Sequence, residues 1–331
     1  MDKNIWKNYL PDRFILGILL MILIAWLFPG IGGEGKRFNL KIFIDFGVSM
    51  VFFLYGLKLN PKQLVEGLSN LKLHIVVQLI TFLVFPLIVL MFYPFVKGSE
   101  YEVLWFALFF VAALPSAVSS SVVMVSIAKG NIPGAIFNAS ISGIIGILIT
   151  PLWIGIFMGK QNDGLAFGSI VWNLILQILI PVIIGLLLNR FFGTWANRHG
   201  KFLSRFDKTV ILCIVYESFS ESFGNGIFGN IPTPVLIVLG ICVIALFFVI
   251  FEGTKFLTKK MHFNREDSIT ALFCGSKKSL VHGSVFGSIL FAGNPQAGLF
   301  LVPVMIYHAF QLFYISIYAR NLQEKEVKIP N

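Results

Sequence analysis

Long apolar runs separated by short polar stretches dominate the chain. Ten of them, at about 13–30, 38–57, 72–94, 102–128, 132–158, 168–191, 208–226, 233–253, 267–291 and 297–319, are long enough to span a bilayer. A crossing helix needs roughly 20 mostly apolar residues to pass about 30 Å of hydrocarbon. Lipid offers the backbone no partners, so only helices or closed barrels cross it, and these runs are too long for barrel strands. The first run, Phe14 to Pro29, has Lys7 and Arg13 before it but exceeds a signal-peptide core and lacks a small-x-small cleavage site. It reads as a retained helix. The pattern predicts an all-α membrane protein.

Composition narrows the classes. Of 331 residues 56% are hydrophobic and only 13% charged, about half the charged share of a soluble protein. That excludes a soluble enzyme and a disordered chain. Lys+Arg number 26 against 16 Asp+Glu, but the basic residues are scattered between runs rather than gathered in a patch, so no nucleic-acid partner is expected. Their distribution sets orientation instead. With the N-terminus inside, the inner face collects Lys3, Lys7, Arg13, Lys58, Lys62, Lys72 and Lys129, then Arg190, Arg198, Lys201, Arg205 and Lys208 around a long inner loop at 192–207. It also takes Lys255, Lys259, Lys260, Arg265, Arg320, Lys325 and Lys328, while the outer face gets Lys36, Arg37, Lys41, Lys97 and Lys160. Both termini are therefore expected in the cytoplasm, with the protein in the plasma (bacterial inner) membrane. Cys213, Cys242 and Cys274 are isolated, in no metal or redox spacing, and read as reduced thiols. No cofactor is implied.

An odd number of spans per half forces opposite orientations, the arithmetic of an inverted repeat. The first five-helix repeat and its preceding segment fall within 1–191. The first helix of the second repeat begins about 168, which puts the boundary near 160 and leaves 161–331 for the second repeat and tail. The fourth span of each half is interrupted: LPSAVSSSVVM, Leu114 to Met124, and FCGSKKSLVHG, Phe273 to Gly283. Paired interruptions of this kind point to a binding site.

Lys277 and Lys278 lie about 15 Å into the ninth span, near the midplane. A charge there costs at least about 2.5–3.5 kcal/mol. Ser276 and Ser279 permit a break that lets both lysines reach one cavity, as a site for an anion or as surrogates for a cation. The other reading is a strut in which they pair with carboxylates. His282, four residues after Lys278, is a candidate for proton handling or a packing histidine. Glu217 and Glu221 share a face of the seventh span and are natural counter-charges. Alternatively they carry protons, bind a cation, or stand in outer water if the span ends near Ser218. Ser116, Ser119, Ser120 and Ser121 fill the fourth-span break, followed by Asn138, Ser140 and Ser142. Their oxygens suit a substrate or a residual cation near Ser120, Ser121 and Asn138, although small residues also simply allow close packing. Gln78, Thr81, His308, Gln311 and Asp45 are further mid-span polar groups.

The ten-span layout, PSAVSSS, the KGN turn at Lys129 to Asn131 and FCGSKKSL resemble the bile acid:sodium symporter superfamily, solute carrier family 10. Its divergent member-7 and bacterial bile-acid-symporter-like branch is the nearest in look. The resemblance runs from about residue 10 to 320. It implies two inverted five-helix repeats with crossed, broken helices 4 and 9. It also implies a core domain at about 72–158 and 233–319, a panel domain at about 13–57 and 168–226, and alternating access between them. Sodium-coupled members carry E-x-G-x-Q-N in the ninth helix. Aligned on Gly275, this chain has Phe273 for the glutamate, Lys277 for the glutamine and Lys278 for the asparagine. Thr81 falls where the third helix carries a glutamine. Two unit charges about 4 Å apart repel by about 4 kcal/mol at an effective dielectric of about 20, so sodium beside these lysines is disfavoured.

The expectation is a secondary active transporter that moves a small organic anion by alternating access, with sodium coupling disfavoured because Lys277 and Lys278 stand at cation-ligand positions, and with the lipid bilayer as its surroundings. A monomer is expected, with a homodimer as the alternative. The rival function is a membrane regulator of calcium or ion homeostasis, which the resemblance to the divergent branch leaves open. No HExxH, paired catalytic aspartates or nucleophile motif suggests an enzyme.

Overall fold

The computed structural model describes residues 13–29, 40–59, 70–117, 119–158, 172–173 and 175–327. All regular structure among them is helical: α1 (Arg13–Leu27), α2 (Leu40–Lys58), α3 (Leu71–Leu90), α4 (Glu102–Ala113), α5 (Ser119–Ile127), α6 (Ile132–Met158), α7 (Ile175–Arg198), α8 (Gly200–Gly224), α9 (Thr233–Lys260), α10 (Arg265–Gly275), α11 (Leu280–Leu290) and α12 (Ala297–Val327), with single turns between. Six of these, α2, α3, α6, α7, α9 and α12, are long and apolar enough to cross a membrane by themselves, and α1 and α4 are shorter apolar helices. The chain is a multi-pass membrane protein. Of the basic residues used above for orientation, Lys3, Lys7, Lys36, Arg37, Lys62, Lys160 and Lys328 lie outside the described residues.

The expected long loop at 192–207 is a correction. α7 continues to Arg198, α8 starts at Gly200, and only His199 intervenes. The extension is helical because it has something to cover: Ala196 and Leu203 are buried with Leu54 and Leu57 of α2. Lys58 adds an ion pair to Asp207 at 3.3 Å. At its other end α8 runs past Ser218 to Gly224, so Glu217 and Glu221 are helical rather than in a loop.

α2 packs chiefly on α7 and α8, and α1 packs on α8. Glycines bring α2 and α7 together. A Cβ on Gly56 would strike the Val182 carbonyl, and one on Gly185 the Phe53 carbonyl, so the two backbones touch directly, as small residues allow between membrane helices. The remaining helices form a second group, joined to α8 mainly through α11 and α12. There Ser222 Oγ donates to the Pro295 carbonyl (2.7 Å) and accepts from Gly298 N (3.0 Å).

Two helices widen just before a proline. Ile80–Val84 of α3 and Ile175–Leu179 of α7 are π-helical, ahead of Pro86 and Pro181. Proline has no N–H and clashes with the carbonyl four residues back. A π turn absorbs that clash and releases carbonyls from the ladder. In α3 the released Phe82 carbonyl accepts from Trp153 Nε1 at 2.8 Å. The Thr81 carbonyl is taken by a lysine of the break described below.

At the end bearing Lys72 and Lys129, three helix N-termini converge on one carboxylate. Asn70, Asn131 and Asn264 cap α3, α6 and α10, their Oδ1 atoms accepting from Leu73 N, Gly134 N and Asp267 N. Their three Nδ2 groups all donate to Asp267, at 2.7, 2.8 and 3.0 Å. The carboxylate also lies at the positive ends of these helices. Asp267→Ala removes the shared acceptor of three capping amides, of which Asn70 and Asn131 are half-buried and Asn264 is exposed. It is expected to cost about 2 kcal/mol, read as a lower unfolding midpoint in detergent, with Asp267→Asn intermediate.

Candidate functional site

The two interruptions meet, and many of the carbonyls that they free accept from another helix. Pro115 forces Leu114 into an extended conformation (φ −72°, ψ 153°), because the residue before proline avoids the helical region. Gly146 of α6 makes room for the proline ring, since a Cβ there would meet Pro115 at 2.7 Å. The backbones then touch: Ser279 N donates to the Pro115 carbonyl at 2.9 Å. Ser116 Oγ donates to the Cys274 carbonyl (2.6 Å) and Ser121 Oγ to the Phe273 carbonyl (3.2 Å), both at the end of α10. Ser142 Oγ accepts from Ser116 N at 2.9 Å. Thr150 Oγ1 donates to Ala113 O at 2.7 Å, and Tyr307 OH to Ser276 O at 2.6 Å. Buried helix ends need such partners, because lipid offers the backbone none.

Lys278 is the centre of this arrangement. Its Nζ donates to the carbonyls of Thr81 (2.8 Å), Ala112 (2.7 Å) and Leu114 (2.7 Å), and lies 3.9 Å from the centre of the Phe85 ring. All three ammonium protons are thus used. The charge sits at the negative end of α4, where a cation is stabilised, and over a ring face. Gln311 of α12 holds the lysine backbone on both sides, Oε1 accepting from Lys278 N (2.8 Å) and Nε2 donating to Lys278 O (2.7 Å). Gln311 Nε2 also approaches His308 Nδ1 at 3.1 Å. Three sequence candidates, Thr81, Gln311 and His308, therefore gather around Lys278.

Lys277 differs in every respect. It is 0% exposed, yet among the described residues its Nζ meets one acceptor, Ser120 Oγ at 2.7 Å. Ser120 lies in the first turn of α5, the positive end of that helix, so the protein supplies neither a carbonyl cage nor a favourable dipole. The two adjacent lysines point to different places, and the expected shared cavity is not formed. Neither meets a carboxylate among the described residues, which also sets aside the strut reading. Glu217 has Asp45, Lys41 and Glu221 as its charged neighbours, a cluster on α2 and α8 apart from the lysines.

The other candidates divide as follows. Ser276 Oγ donates back to Leu272 O at 2.6 Å. Ser279 caps α11, its Oγ accepting from His282 N at 3.2 Å and lying 2.9 Å from His282 Nδ1. Because α11 begins at Leu280, His282 and Lys278 do not lie on one continuous helix. Asn138 donates to Gly134 O and to His74 Nδ1, both at 2.9 Å, and Gln78 Nε2 reaches Asn138 Oδ1 at 3.2 Å. These groups border an open apolar groove of about 660 Å³ between α3 and α6. No hydrogen bond links Asn138 to Ser120 or Ser121 among the described residues. The Ser119 side chain lies outside the described residues.

Sequence reading missed Tyr307, Thr150 and Phe85. Pro86 was the available signal for part of this, since a proline inside an apolar run frees a carbonyl nearby; the tyrosine and threonine gave none.

The chain matches the model of the SBF-like CPA transporter family over residues 12–324. It is 34% identical over 309 residues to sodium/bile acid cotransporter 7 of Xenopus tropicalis, covering 92% of this chain and 90% of the relative. An uncharacterized protein of Pseudomonas aeruginosa is 32% identical over 314 residues, 95% of this chain and 93% of that protein. Sodium/bile acid cotransporter 7 of Danio rerio is 32% identical over 312 residues, 92% of each.

The unequal surroundings of the lysines predict opposite mutational signs. Lys278→Met leaves three buried carbonyls without a donor and is expected to destabilise by about 3–5 kcal/mol. Lys277→Met replaces an ammonium that has one partner and is expected to be neutral or stabilising. Unfolding midpoints of the two purified variants in one detergent check the difference.

Proposed function

Because the chain belongs to the SBF-like CPA transporter family, we propose that it is a secondary transporter that moves a small organic anion by alternating access, without sodium. The observation that carries this reading is Lys277, a fully buried lysine with a single hydroxyl acceptor among the described residues. Among those residues an ammonium there has no partner for two of its protons, and an anionic group of the substrate supplies them. The positive end of α5 adds to the attraction. Lys278 serves differently: its Nζ occupies a cage of carbonyls that would otherwise suit a monovalent cation, so the crossing holds its own tethered charge.

In this reading the chain forms two inverted five-helix repeats. α1, α2, α7 and α8 are the panel and the remaining helices the core, with both termini cytoplasmic by the positive-inside rule. Ser120, Ser279 and His282 line the anion's route beside Lys277. Glu217, Glu221 and Asp45 face it from the panel and serve proton or cation exchange with the outer solution.

The test is uptake into proteoliposomes of labelled carboxylates, sulfonates and phosphate esters, with and without sodium and with and without a pH gradient. At least one anion should enter at a rate indifferent to sodium. Lys277→Met should lower that rate at least about tenfold. Strong sodium dependence, or native uptake by Lys277→Met, would overturn the assignment.

A further inference from the structure

The inner length of α2 touches α6 and α11 at one notch, around Gly143. Tyr55 of α2 donates its hydroxyl to the Ser140 carbonyl at 2.7 Å. Gly143 has to be glycine here: a Cβ would collide with the Tyr55 hydroxyl and come within 3.2 Å of His282 Nε2. The tyrosine hydroxyl and the histidine nitrogen therefore face the same small space. The rings of Phe52, Tyr55 and Phe286 stand around His282, each centroid 5.7 Å from it.

His282 is 4% exposed, and its Nε2 has no hydrogen-bond partner among the described residues. Ser279 Oγ accepts from His282 N and lies 2.9 Å from Nδ1. In the tautomer in which this hydroxyl gives its proton to Nδ1, Nε2 carries the ring proton. A buried N–H without an acceptor is costly, and such groups persist where something else uses them.

We propose that the Gly143 notch is an oxyanion-binding site on the transport path. Tyr55 fills it in the present conformation. When α2 draws back from α6, a carboxylate or phosphoryl group of the solute takes its place, accepting from the Tyr55 hydroxyl and from His282 Nε2. This deepens the transporter reading and rests on it for the movement of α2. Breaking the latch is inexpensive, because the Ser140 carbonyl belongs to a helix and keeps its ladder partner. Phe286, on the same helix as His282, keeps an apolar wall beside the anion, and that low-dielectric wall strengthens both hydrogen bonds. Tyr55 and Gly143 thus join His282 as residues that select a solute bearing at least one anionic oxygen group.

The experiment uses the purified full chain in detergent with potassium benzoate, potassium phosphate or potassium chloride at equal ionic strength. Unfolding midpoints are measured for wild type, Tyr55→Phe, His282→Gln and His282→Asn. Benzoate or phosphate is expected to raise the wild-type midpoint by about 3 °C or more over chloride, through binding to the folded state. The anion that does so identifies the carboxylate or the phosphoryl group as the natural one. His282→Gln, which keeps an N–H near the Nε2 position, should retain the shift. His282→Asn and Tyr55→Phe should each lose it. Equal midpoints in benzoate, phosphate and chloride for wild type would overturn the site, as would a wild-type shift in either His282→Asn or Tyr55→Phe. Should the asparagine variant not fold, Tyr55→Phe, which removes a single oxygen, decides alone. Liposome uptake separates the two ideas. Uptake unaltered by these variants removes the notch and keeps the transporter, whereas the shift pattern without uptake keeps the notch and removes the transporter.

Discussion

Peptide carbonyls inside hydrocarbon need donors, and here one ammonium group serves three of them. α4 stops at Pro115 and α10 stops at Gly275, so two helix ends lie deep within the bundle with no water to complete them. Lys278 reaches across both interruptions to Thr81, Ala112 and Leu114. The rest of the crossing is organised by that demand. Pro86 and its π turn free the Thr81 carbonyl, Gly146 admits the Pro115 ring, and Gln311 and Tyr307 hold the backbone on either side of the lysine. A neutral hydroxyl donates one proton and an amide two, whereas an ammonium donates three from one nitrogen.

The same physics separates a rigid region from a changeable one. Lys278 gives its three protons to three carbonyls, and the Asp267 cluster closes the adjoining helix ends with shared hydrogen bonds. Residues with all partners inside the group have little to gain from solute. Lys277 and His282, by contrast, are buried groups with protons left over. In the transporter reading the saturated groups form the body that moves as a unit, and the unsaturated ones meet the solute. Direct backbone contact of α2 with α7 through Gly56 and Gly185 binds the opposite body equally firmly, leaving the Tyr55 notch and the Ser222 contact as the joints between them.

Much of the architecture was legible in the chain. Lipid permits only structures that satisfy their own backbone, so apolar run length marked where helices form; the described helices overlap those runs, with α7, α8, α9 and α12 extending well past one end. Pro115 and the Gly275–Ser276 step marked both interruptions, because proline breaks the hydrogen-bond ladder and glycine and serine weaken it. The 192–207 segment misled, since its charges suggested a loop. Its apolar stripe at Ala196 and Leu203 covers α2, and periodic burial outweighed local polarity.

The chemistry of the site divided differently. Sequence alone showed two adjacent lysines inside an interrupted apolar run, and a second interruption, built on a proline and serines, at the matching place in the first half. It did not determine which lysine is saturated. Adjacent residues leave a broken backbone in unrelated directions, and the acceptors come from Thr81, Ala112 and Ser120, far away in the chain. Only the tertiary structure assigned three carbonyls to Lys278 and one hydroxyl to Lys277, because hydrogen-bond saturation depends on which helix ends meet in space and not on the order of residues.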